Sequence, residues 1–402
     1  MKKVEINRAD MGETTEKMKN ANAKAGIENF SMDVLIEPLL SWYKENARVL
    51  PWREMPTPYR VWVSEIMLQQ TRVEAVKPFF ERFTTRLPDV KALAECPEDE
   101  LLKLWEGLGY YNRVRNMQKA AIQVMEEYEG VIPADYDALL GLKGIGSYTA
   151  GAIASIAYQI PVPAVDGNVL RVLTRVSLDD TDIMKQSFRT LMEQKLRKMM
   201  EDETVFNRAD SGAFNQALME LGATVCVPNG EPHCTECPWR QLCLARIEGK
   251  TAEIPVKSKA KERRIENRTV LVVRDGDRVA IKKRPNKGLL AGLYELPNVE
   301  GHYTQDEVLA MVKEMGLAPI RIQKLEEAKH IFSHVEWRMK GYAILVEEPE
   351  HASGQTKDDE QFLFVEARDS EQRYAIPAAF AAYARYMNIK IGNEKFLDDG
   401  NY

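Results

Sequence analysis

The distribution of hydrophobic and polar positions divides the chain into two parts. From Met32 to about Cys243, apolar residues recur at i, i+3 and i+4 in segments separated by Pro and Gly, which is typical of amphipathic helices. After residue 268, short runs rich in β-branched residues follow, with helix-like segments at 306–316 and 378–387. The pattern therefore predicts an all-α domain followed by an α+β domain.

Changes in composition predict where the domains begin and end. The first residues are polar and have no sustained apolar period, so we expect a disordered N-terminal tail. A basic segment without a core-forming pattern is typical of an exposed linker between two domains. The predicted parts are an N-terminal tail (1–30), a helical domain (31–255), a basic linker (256–267), a second domain (268–390) and a C-terminal tail (391–402).

Composition excludes several classes of protein. The 402 residues suit two domains, and 45% hydrophobic and 29% charged residues are ordinary globular usage. No apolar run approaches the roughly 18–20 residues of a membrane span, and the N-terminus lacks the apolar core of a secretory signal. We therefore expect a cytoplasmic monomer with no membrane partner. The net charge of −6 gives no support for nucleic-acid binding, so any DNA interaction must rest on local motifs.

Four of the five cysteines lie close together in one loop, and they are Cys226, Cys234, Cys237 and Cys243. Clustered thiols in a reducing compartment indicate metal ligands rather than disulfides. Zinc sites more often join two separated Cys-x-x-Cys pairs, whereas this loop has only one such pair. The spacing therefore favours a [4Fe–4S] cluster, with a tetrahedral zinc site as the alternative.

A glycine-containing turn between two helical segments predicts a helix-hairpin-helix. Leu142 opens the turn, and Gly144 and Gly146 follow it. Glycine lets backbone N–H groups approach an anion at the positive end of the next helix, so the turn would bind a DNA phosphate. The alternative is a plain tight turn, which needs glycine anyway.

Two isolated carboxylates are candidates for chemistry. Asp166 precedes a helix and either caps it or, held ionised by the helix N–H groups, also faces a developing positive charge. Glu65 shares a helix face with Val61, Trp62 and Leu68, and apolar neighbours raise the pKa of a carboxyl group. Otherwise Glu65 lies on the solvent side of an amphipathic helix. An acid paired with a charge stabiliser is what cleavage of a glycosidic bond requires.

In combination these motifs resemble the endonuclease III superfamily of DNA glycosylases, and within it the MutY-type adenine DNA glycosylases with a C-terminal Nudix-like domain. The matching segments are PWR (51–53), SEIMLQQTRV (64–73), WEGLGYYNRVRN (105–116), LKGIGSYTAGAI (142–153), PAVDGNVLRVLTR (163–175), the cysteine loop (226–243) and IFSHVEW (331–337). One departure concerns the cysteine loop, where seven residues separate the first two cysteines and the family commonly has six.

The resemblance implies a monofunctional glycosylase of base excision repair, nucleoid-associated by function. It would hydrolyse the N-glycosidic bond of adenine paired with 8-oxoguanine or guanine in double-stranded DNA, after the adenine flips out. Glu65 would be the general acid, and Asp166 would stabilise or trap the sugar cation. Tyr148 occupies the place of the lysine that forms a Schiff base in bifunctional relatives, and it would orient these groups together with Asn168. The alternatives are a core aromatic for Tyr148 and a first-turn helix residue for Asn168.

The resemblance also implies a set of DNA contacts. Gln70 and Tyr110 would enter the base stack where the adenine leaves; the alternatives, a surface polar residue for Gln70 and a core aromatic for Tyr110, are less favoured. Residues of the matching segments would contact the DNA backbone, namely Arg53, Leu142, Gly144 and Gly146. The basic stretch 113–119 is open to two interpretations, phosphate contact or a solvated helix face.

By the same resemblance, the second domain would read the base opposite the adenine. Phe332, Ser333 and His334 would contact 8-oxoguanine, although a lone histidine is more often structural. Segment 288–301 begins like a Nudix box, but the carboxylate-rich helix of working Nudix hydrolases does not follow it. We therefore expect a recognition module rather than a hydrolase.

Three other functions compete with this interpretation. A lyase acting on oxidised pyrimidines is disfavoured by Tyr148 and by the additional C-terminal domain. A nucleotide pyrophosphatase is disfavoured by the missing carboxylates of the Nudix box. A non-catalytic DNA-binding protein with a structural metal would leave Glu65 and Asp166 unexplained.

Overall fold

The computed structural model describes residues 26–27, 30–258, 262–347 and 362–387. They group into two compact units that do not coincide with the two predicted domains. The first unit contains the described residues up to Glu65 together with 131–258, and the second contains 66–130 together with those from 262 onwards. Helical periodicity could not reveal this division, because the period of a helix does not identify the element on which its apolar face packs.

Helices make up the regular structure as far as residue 258, where the described residues contain no β-strand. This confirms the predicted all-α character. The helices, in chain order, are α1 (Ile36–Asn46), α2 (Pro51–Glu54), α3 (Pro58–Leu68), α4 (Val73–Arg86), α5 (Val90–Glu95), α6 (Glu98–Leu104), α7 (Asn112–Glu127), α8 (Tyr136–Gly141), α9 (Ser147–Tyr158), α10 (Gly167–Ser177), α11 (Gln186–Glu201), α12 (Ser211–Thr224) and α13 (Leu244–Ile247). Short 3₁₀ turns at Asp33–Leu35 and Arg208–Asp210 lead into α1 and α12.

Helix α10 lies at the centre of the first unit. Its residues from Val169 to Ser177 are all buried, so the helix has no solvent face. The hydroxyl groups of Thr174 and Ser177 each donate to the carbonyl four residues earlier, at 2.8 Å, which satisfies them inside the core. The most enclosed helix of this unit therefore carries Asp166 at its N-terminus.

Two glycines allow backbone segments to approach the start of α10 closely. A Cβ atom on Gly151 would lie 2.1 Å from the carbonyl oxygen of Pro163, and one on Gly222 would lie 2.6 Å from the Cβ atom of Asn168. Both distances are well inside van der Waals contact. The segment before Asp166 therefore packs directly on α9, and helix α12 packs directly on Asn168.

The second unit combines α4–α7 with one mixed β-sheet. Its strands among the described residues are β1 (Arg264–Asp275), β2 (Arg278–Lys283), β3 (Tyr294–Glu295), β4 (Asn298–Glu300), β5 (Ala318–Lys324), β6 (Ala328–Ile331), β7 (Val335–Glu347) and β8 (Phe362–Glu366). The order is β3-β2-β1-β7-β5, with β4 on β1, β6 on β7 and β8 on β2. The central pair β1 and β7 is parallel, and Val270 lies opposite Gly341 in its register. Strand β1 begins inside the segment predicted as a linker.

Alternating residues of β1 enter two separate cores. Val270 and Val272 pack in a core with Trp337 and Phe380. Their neighbours Leu271 and Val273 pack in a second core under helix α14 (Gln305–Glu314). Because successive side chains of a strand point to opposite faces, both faces of the sheet are covered. The predicted α+β character of this part is confirmed. The helix predicted at 378–387 divides into Ala378–Phe380 (3₁₀), α16 (Ala381–Ala384) and Arg385–Met387 (3₁₀), after α15 (Ala367–Arg373).

Two charged residues near α6 form hydrogen bonds between the helices of the second unit and its C-terminal segment. Lys103 donates to the carbonyl of Tyr374 at 2.7 Å, and Glu106 accepts the N–H of Ile376 at 3.1 Å. The two side chains also form an ion pair at 2.8 Å, and Glu106 is only 3% exposed. A buried carboxylate needs such partners, so this contact helps to hold 66–130 against the C-terminal segment.

Most of the two predicted tails lies outside the described residues. One described residue of the N-terminal segment, Ile27, is buried; its N–H donates to Asp179 at 2.8 Å and its carbonyl accepts from Lys195 at 2.6 Å. At this position the N-terminal segment packs in the hydrophobic core of the first unit, together with Leu35 and Leu39. Within the described part of the chain, the helices are too short or too polar to cross a bilayer.

Candidate active site

Glu65 lies near the end of helix α3 and is 6% exposed. Its Oε2 atom accepts a hydrogen bond from the hydroxyl of Tyr148 at 2.5 Å. Burial raises the pKa of Glu65 to about 7, aided by the negative charge of Asp166, while the Tyr148 hydrogen bond and the charge of Arg53 oppose the rise. A substantial fraction of this carboxyl group is therefore protonated near neutral pH, as an acid catalyst requires.

Tyr148 lies in the first turn of α9, and its hydroxyl is also 3.5 Å from the sulfur of Met219. Burial raises the pKa of this phenol well above its ordinary value, and the charges of Glu65 and Asp166 raise it further. The hydroxyl therefore stays neutral and acts as the donor to Glu65. The structure thus brings together two residues that are distant in sequence and were predicted to share one site.

Asp166 caps helix α10 with both of its carboxylate oxygens engaged. Oδ1 accepts the N–H of Val169 at 2.8 Å, and Oδ2 accepts the side-chain amide of Asn168 at 2.7 Å. The predicted N-cap is confirmed. The influence of Asp166 on the pKa of Glu65 also shows that the two carboxyl groups interact.

Burial sets the direction of the pKa shift of Asp166. From the sequence we expect the helix N–H groups to hold this carboxyl group ionised, and that expectation stays a prediction. In the structure, burial raises the pKa of Asp166 and outweighs the hydrogen bonds from Val169 and Asn168 and the charge of Arg171, which all lower it. Desolvation of the charge is therefore the stronger effect at this position.

Asn168 is held in one orientation from both ends. Its Oδ1 atom accepts a hydrogen bond from Arg171 at 2.8 Å, which leaves the amide nitrogen to face Asp166. Arg171 also donates to the carbonyls of Gly222 at 2.7 Å and Cys226 at 2.8 Å. The amide therefore donates to the Asp166 carboxylate in a direction that its surroundings determine.

A buried ion group lies beside Glu65 and was not found from the sequence. Glu220 on α12 has a 1% exposed side chain and binds Arg48 at 2.6 Å and Arg53 at 2.8 Å. Arg53 also donates to the carbonyl of Arg48 at 3.1 Å and stacks on Tyr43. The predicted contact of Arg53 with DNA stays a prediction, while its guanidinium is bound to Glu220. A lone acid in an otherwise apolar helix is the signal that could have identified Glu220.

The predicted hairpin lies between α8 and α9. Leu142 is buried and anchors the turn, while Gly144 and Gly146 are exposed. Gly144 has a φ of +77°, which a side chain would disfavour, and Gly146 is the N-cap of α9. The exposed glycines leave the N-terminus of α9 open to solvent, where an anion is favoured.

The four clustered cysteines line a common cavity, together with Arg175 and Arg246. Arg175 donates to the sulfur of Cys226 at 3.3 Å, and Cys243 contacts the carbonyl of Arg175 at 3.4 Å. Cys234 and Cys237 complete the set of thiols, and none of the four forms a disulfide. Among the described residues there is no group of three or more His, Cys, Asp or Glu arranged to hold a single metal ion.

The two residues predicted to enter the base stack are both exposed and both lie in the second unit. Gln70 follows α3 with a φ of +63°, and Tyr110 precedes α7 with a φ of +47°. The hydroxyl of Tyr110 lies 2.9 Å from the hydroxyl of Ser333. The structure thus joins a residue expected at the extrusion site to one expected to read the opposite base.

The predicted recognition residues form the turn between β6 and β7. Ser333 and His334 are exposed, and Phe332 is half-buried. The Phe332 ring lies between His330 at 4.7 Å and Trp337 at 5.0 Å, both edge to face, and its N–H bonds the carbonyl of Val335 at 2.8 Å. This packing fixes the turn and leaves its tip accessible.

Two family profiles cover most of the described structure. Residues 63–198 match the HhH-GPD superfamily of base excision DNA repair proteins, and residues 269–386 match the NUDIX domain. The chain therefore combines a helix-hairpin-helix repair fold with a Nudix-like domain, as the motifs predicted.

Two curated relatives of this chain are adenine DNA glycosylases, and one solved structure is also given for comparison. The chain is 36% identical to the adenine DNA glycosylase of Mus musculus over 368 residues, which covers 77% of this chain and 70% of the mouse protein. It is 34% identical to the adenine DNA glycosylase of Buchnera aphidicola subsp. Acyrthosiphon pisum, over 74% of this chain and 82% of that protein. Among solved structures, a thermostable thymine-DNA glycosylase matches 54% of this chain and 96% of its own, with 26% identity and a TM-score of 0.46.

Proposed function

The chain belongs to the adenine DNA glycosylase family, and we propose that it removes adenine paired with 8-oxoguanine or guanine in double-stranded DNA. The observation that supports this most strongly is the pair of carboxyl groups in the first unit. Burial raises the pKa of Glu65 to about 7, and the negative charge of Asp166 adds to the rise. One group can give up a proton while the other carries negative charge, as cleavage of a glycosidic bond requires.

In this proposal the reaction begins with extrusion of the adenine from the stack. Glu65 donates a proton to N7 of the base. The protonated base then accepts the electrons of the breaking glycosidic bond and leaves as neutral adenine. Tyr148 holds the acid through its 2.5 Å hydrogen bond. Asp166, oriented by Asn168 and by the N-terminus of α10, stabilises the sugar cation until water attacks.

Tyr148 supports a monofunctional reaction. A lyase forms a Schiff base between an amine and the opened sugar, and then cleaves the strand. The hydroxyl that stands at this position is neutral and donates to Glu65, so it offers no amine nucleophile. Base removal should therefore leave an abasic site in an intact strand.

The proposed function is tested with three duplexes that carry adenine opposite 8-oxoguanine, guanine or thymine. We expect adenine release from the first two, faster with 8-oxoguanine, and little from the third. Strand breaks before alkaline treatment and a protein–DNA adduct after borohydride should both be absent. Release of an oxidised pyrimidine with spontaneous nicking would instead identify a lyase, and hydrolysis of free nucleotides without base release would identify a pyrophosphatase.

We also propose that the cysteine loop holds a [4Fe–4S] cluster. The fit rests on the donor set, because four soft thiol ligands surround one cavity with arginine side chains beside it. Cys226, Cys234, Cys237 and Cys243 would be the ligands. When bound, such a cluster would close the loop and stabilise this end of the first unit.

The purified protein is expected to contain about four iron atoms per chain and to absorb visible light as iron–sulfur clusters do. Cys237→Ala should lose iron and lower the thermal midpoint, because it removes a ligand from the loop. Cys96→Ala is the matched control, since Cys96 is a buried thiol outside the loop. Stoichiometric zinc without iron would show that the loop is a zinc site instead.

The turn between β6 and β7 is proposed to read the base opposite the adenine. The combined change Ser333→Ala and His334→Ala is expected to reduce the preference for 8-oxoguanine over guanine by about tenfold, as expected when one or two specific polar contacts are lost. The ratio of single-turnover rates on the two duplexes measures this preference. His302→Ala is the control, because His302 is also exposed but contacts Arg338 elsewhere on the sheet. An unchanged ratio would remove the proposed role of the turn.

A further inference from the structure

We propose that Arg113 is a positioning residue for base extrusion. It holds Gln70 and Tyr110, the two residues expected to enter the base stack, in a fixed position relative to each other. The inference rests on the proposed function, since the two residues act on the stack only if the chain extrudes adenine. Arg113 lies in the first turn of α7, in the same compact unit as both residues. Its guanidinium donates to backbone carbonyls of two separate turns.

One guanidinium nitrogen binds the turn that leads to Gln70. Nη1 donates to the carbonyl of Ile66 at 2.7 Å and to that of Gln69 at 2.5 Å. These carbonyls belong to the end of helix α3, where the last turn of a helix has no intrahelical donors. Arg113 supplies the missing donors, and the bond to Gln69 fixes the peptide directly before Gln70.

The other nitrogen binds the turn that leads to Tyr110. Nη2 donates to the carbonyls of Leu108 at 3.0 Å and Gly109 at 3.2 Å. Trp105 donates from its indole to the same Gly109 carbonyl at 3.0 Å. The guanidinium also stacks near the rings of Trp105 and Tyr110, at 5.5 and 5.4 Å from their centres. Backbone and ring of Tyr110 are thus both in contact with Arg113.

The two turns need such support because of their backbone conformations. Gln70 and Tyr110 both have positive φ values, +63° and +47°, which non-glycine residues rarely adopt. Both side chains are exposed, and the ring of Tyr110 rests on Arg113 itself. Strained residues of this kind persist only where the surroundings determine them, and here the surroundings are the donors of one arginine.

This arrangement also corrects the interpretation of the basic stretch. The sequence left open whether Arg113 contacts phosphates or lies on a solvated face, and the structure supports neither. Burial lowers the pKa of Arg113 to about 10, so the guanidinium stays charged at neutral pH while it is enclosed. Because lysine has one donor nitrogen and no planar fork, it cannot reach both turns at once.

The experiment compares the full-length chain with Arg113→Lys and with Arg82→Lys as the matched control. Arg82 is also partly buried; it donates to the carbonyl of Leu104 at 3.2 Å and stacks on Phe79, and neither Leu104 nor Phe79 belongs to the two turns. The substrate is the adenine·8-oxoguanine duplex with 2-aminopurine beside the adenine, whose fluorescence rises when the base leaves the stack. A second duplex carries mismatches on both sides of the adenine, which lowers the cost of extrusion.

With paired flanks, Arg113→Lys is expected to slow both the fluorescence rise and adenine release by about tenfold, the effect of one lost charge-assisted hydrogen bond. With mismatched flanks the two rates should approach those of the wild type. Arg82→Lys should follow the wild type on both duplexes. Equal slowing on both duplexes, or slowed release with an unchanged fluorescence rise, would overturn the proposal.

A double-mutant comparison separates positioning from a general loss of stability. On a background of Gln70→Ala and Tyr110→Leu, Arg113→Lys should cause little further slowing, because the residues that it positions are absent. If Arg113→Lys does not fold, Trp105→Phe takes its place, since it removes the indole donor to Gly109 and part of the ring beside Arg113 while keeping an aromatic side chain. An undiminished effect on this background would overturn the proposal. A wild-type chain that releases no adenine from any duplex would instead refute the proposed function.

Discussion

Asp166→Asn is expected to slow single-turnover release of adenine by about 10²–10³-fold or more, while the chain stays folded. The change keeps the shape of the side chain but removes the negative charge that faces the developing sugar cation. Stabilising groups of this kind contribute that much in rate when they are preorganised. Both oxygens of Asp166 are held, by Val169 and by Asn168, so the wild-type carboxylate needs no reorganisation during the reaction.

The stability of Asp166→Asn follows from the same two hydrogen bonds. Asparagine caps helices about as well as aspartate, so the contact with Val169 is retained. The new amide nitrogen faces the amide of Asn168, and one hydrogen bond is lost at a cost of about 1 kcal/mol. Removal of a buried charge offsets part of this cost, because burial raises the pKa of Asp166 and so disfavours its ionised form. The thermal midpoint should change by only a few degrees.

Asp135→Asn is the matched control for this experiment. Asp135 caps α8 through a 2.8 Å bond to the N–H of Ala138, in the same geometry but without the other partners of Asp166. It should leave both the rate and the midpoint nearly unchanged. If Asp166→Asn behaves like Asp135→Asn, then Asp166 is a helix cap and no more.

Glu65→Gln is expected to reduce adenine release by about 10²–10⁴-fold, the usual contribution of a positioned general acid. Glutamine still accepts the hydrogen bond of Tyr148, so the fold should be retained. Because the acid must be protonated, the wild-type rate should fall as the pH rises through about 7, the pKa of Glu65. The residual rate of the variant should not show this fall at basic pH. If the rate of the variant falls over the same pH range, another group is responsible for the pH dependence.

The raised pKa of Glu65 also makes the stability of the folded protein depend on pH. The ordinary value of Glu65 is 4.5 and the folded value is about 7, so the native state binds the proton more tightly than the unfolded state. This contribution to stability is present below about pH 4.5 and is lost as the pH rises through about 7. Unfolding by denaturant at several pH values should therefore show the wild type losing stability relative to Glu65→Gln over this interval.

Tyr148→Phe is expected to shift the pH at which the rate falls, an effect that a simple loss of function would not produce. The Tyr148 hydrogen bond lowers the pKa of Glu65, because a donor to a carboxylate favours its ionised form. Without the hydroxyl, the basic limb of the rate profile should move to higher pH. A limb that moves to lower pH would contradict the assigned direction of this hydrogen bond.

Local chemistry explains which parts of the site the sequence could predict. Asp166 sits directly before a helix that begins with Gly167, and capping is decided within four residues, so the sequence identified it. The raised pKa of Glu65 followed from apolar neighbours on its own helix face. The raised pKa of Asp166 did not follow, because it depends on burial by segments that are remote in sequence.

Contacts between distant segments account for what was missed. Glu220 stands out in the sequence only as a lone acid, and its role as an ion-pair partner requires Arg48 and Arg53, which lie more than 160 residues before it. Arg113 resembled a phosphate ligand because charge is visible in a sequence, whereas backbone carbonyls are not. The division into two units was likewise hidden, since it separates α4–α7 from the helices that precede and follow them along the chain.

Because of that division, the second unit can complete its contacts only late in synthesis. Residues 66–130 leave the ribosome early, but the segment that supplies the carbonyl for Lys103 and the N–H for Glu106 is synthesised only after residues 131–373. At about 5–20 residues per second, the wait is on the order of tens of seconds. During that interval these helices lack the two hydrogen bonds that join them to the C-terminal segment in the finished protein. Nascent chains stalled before residue 374 should therefore bind chaperones more strongly than the finished protein does.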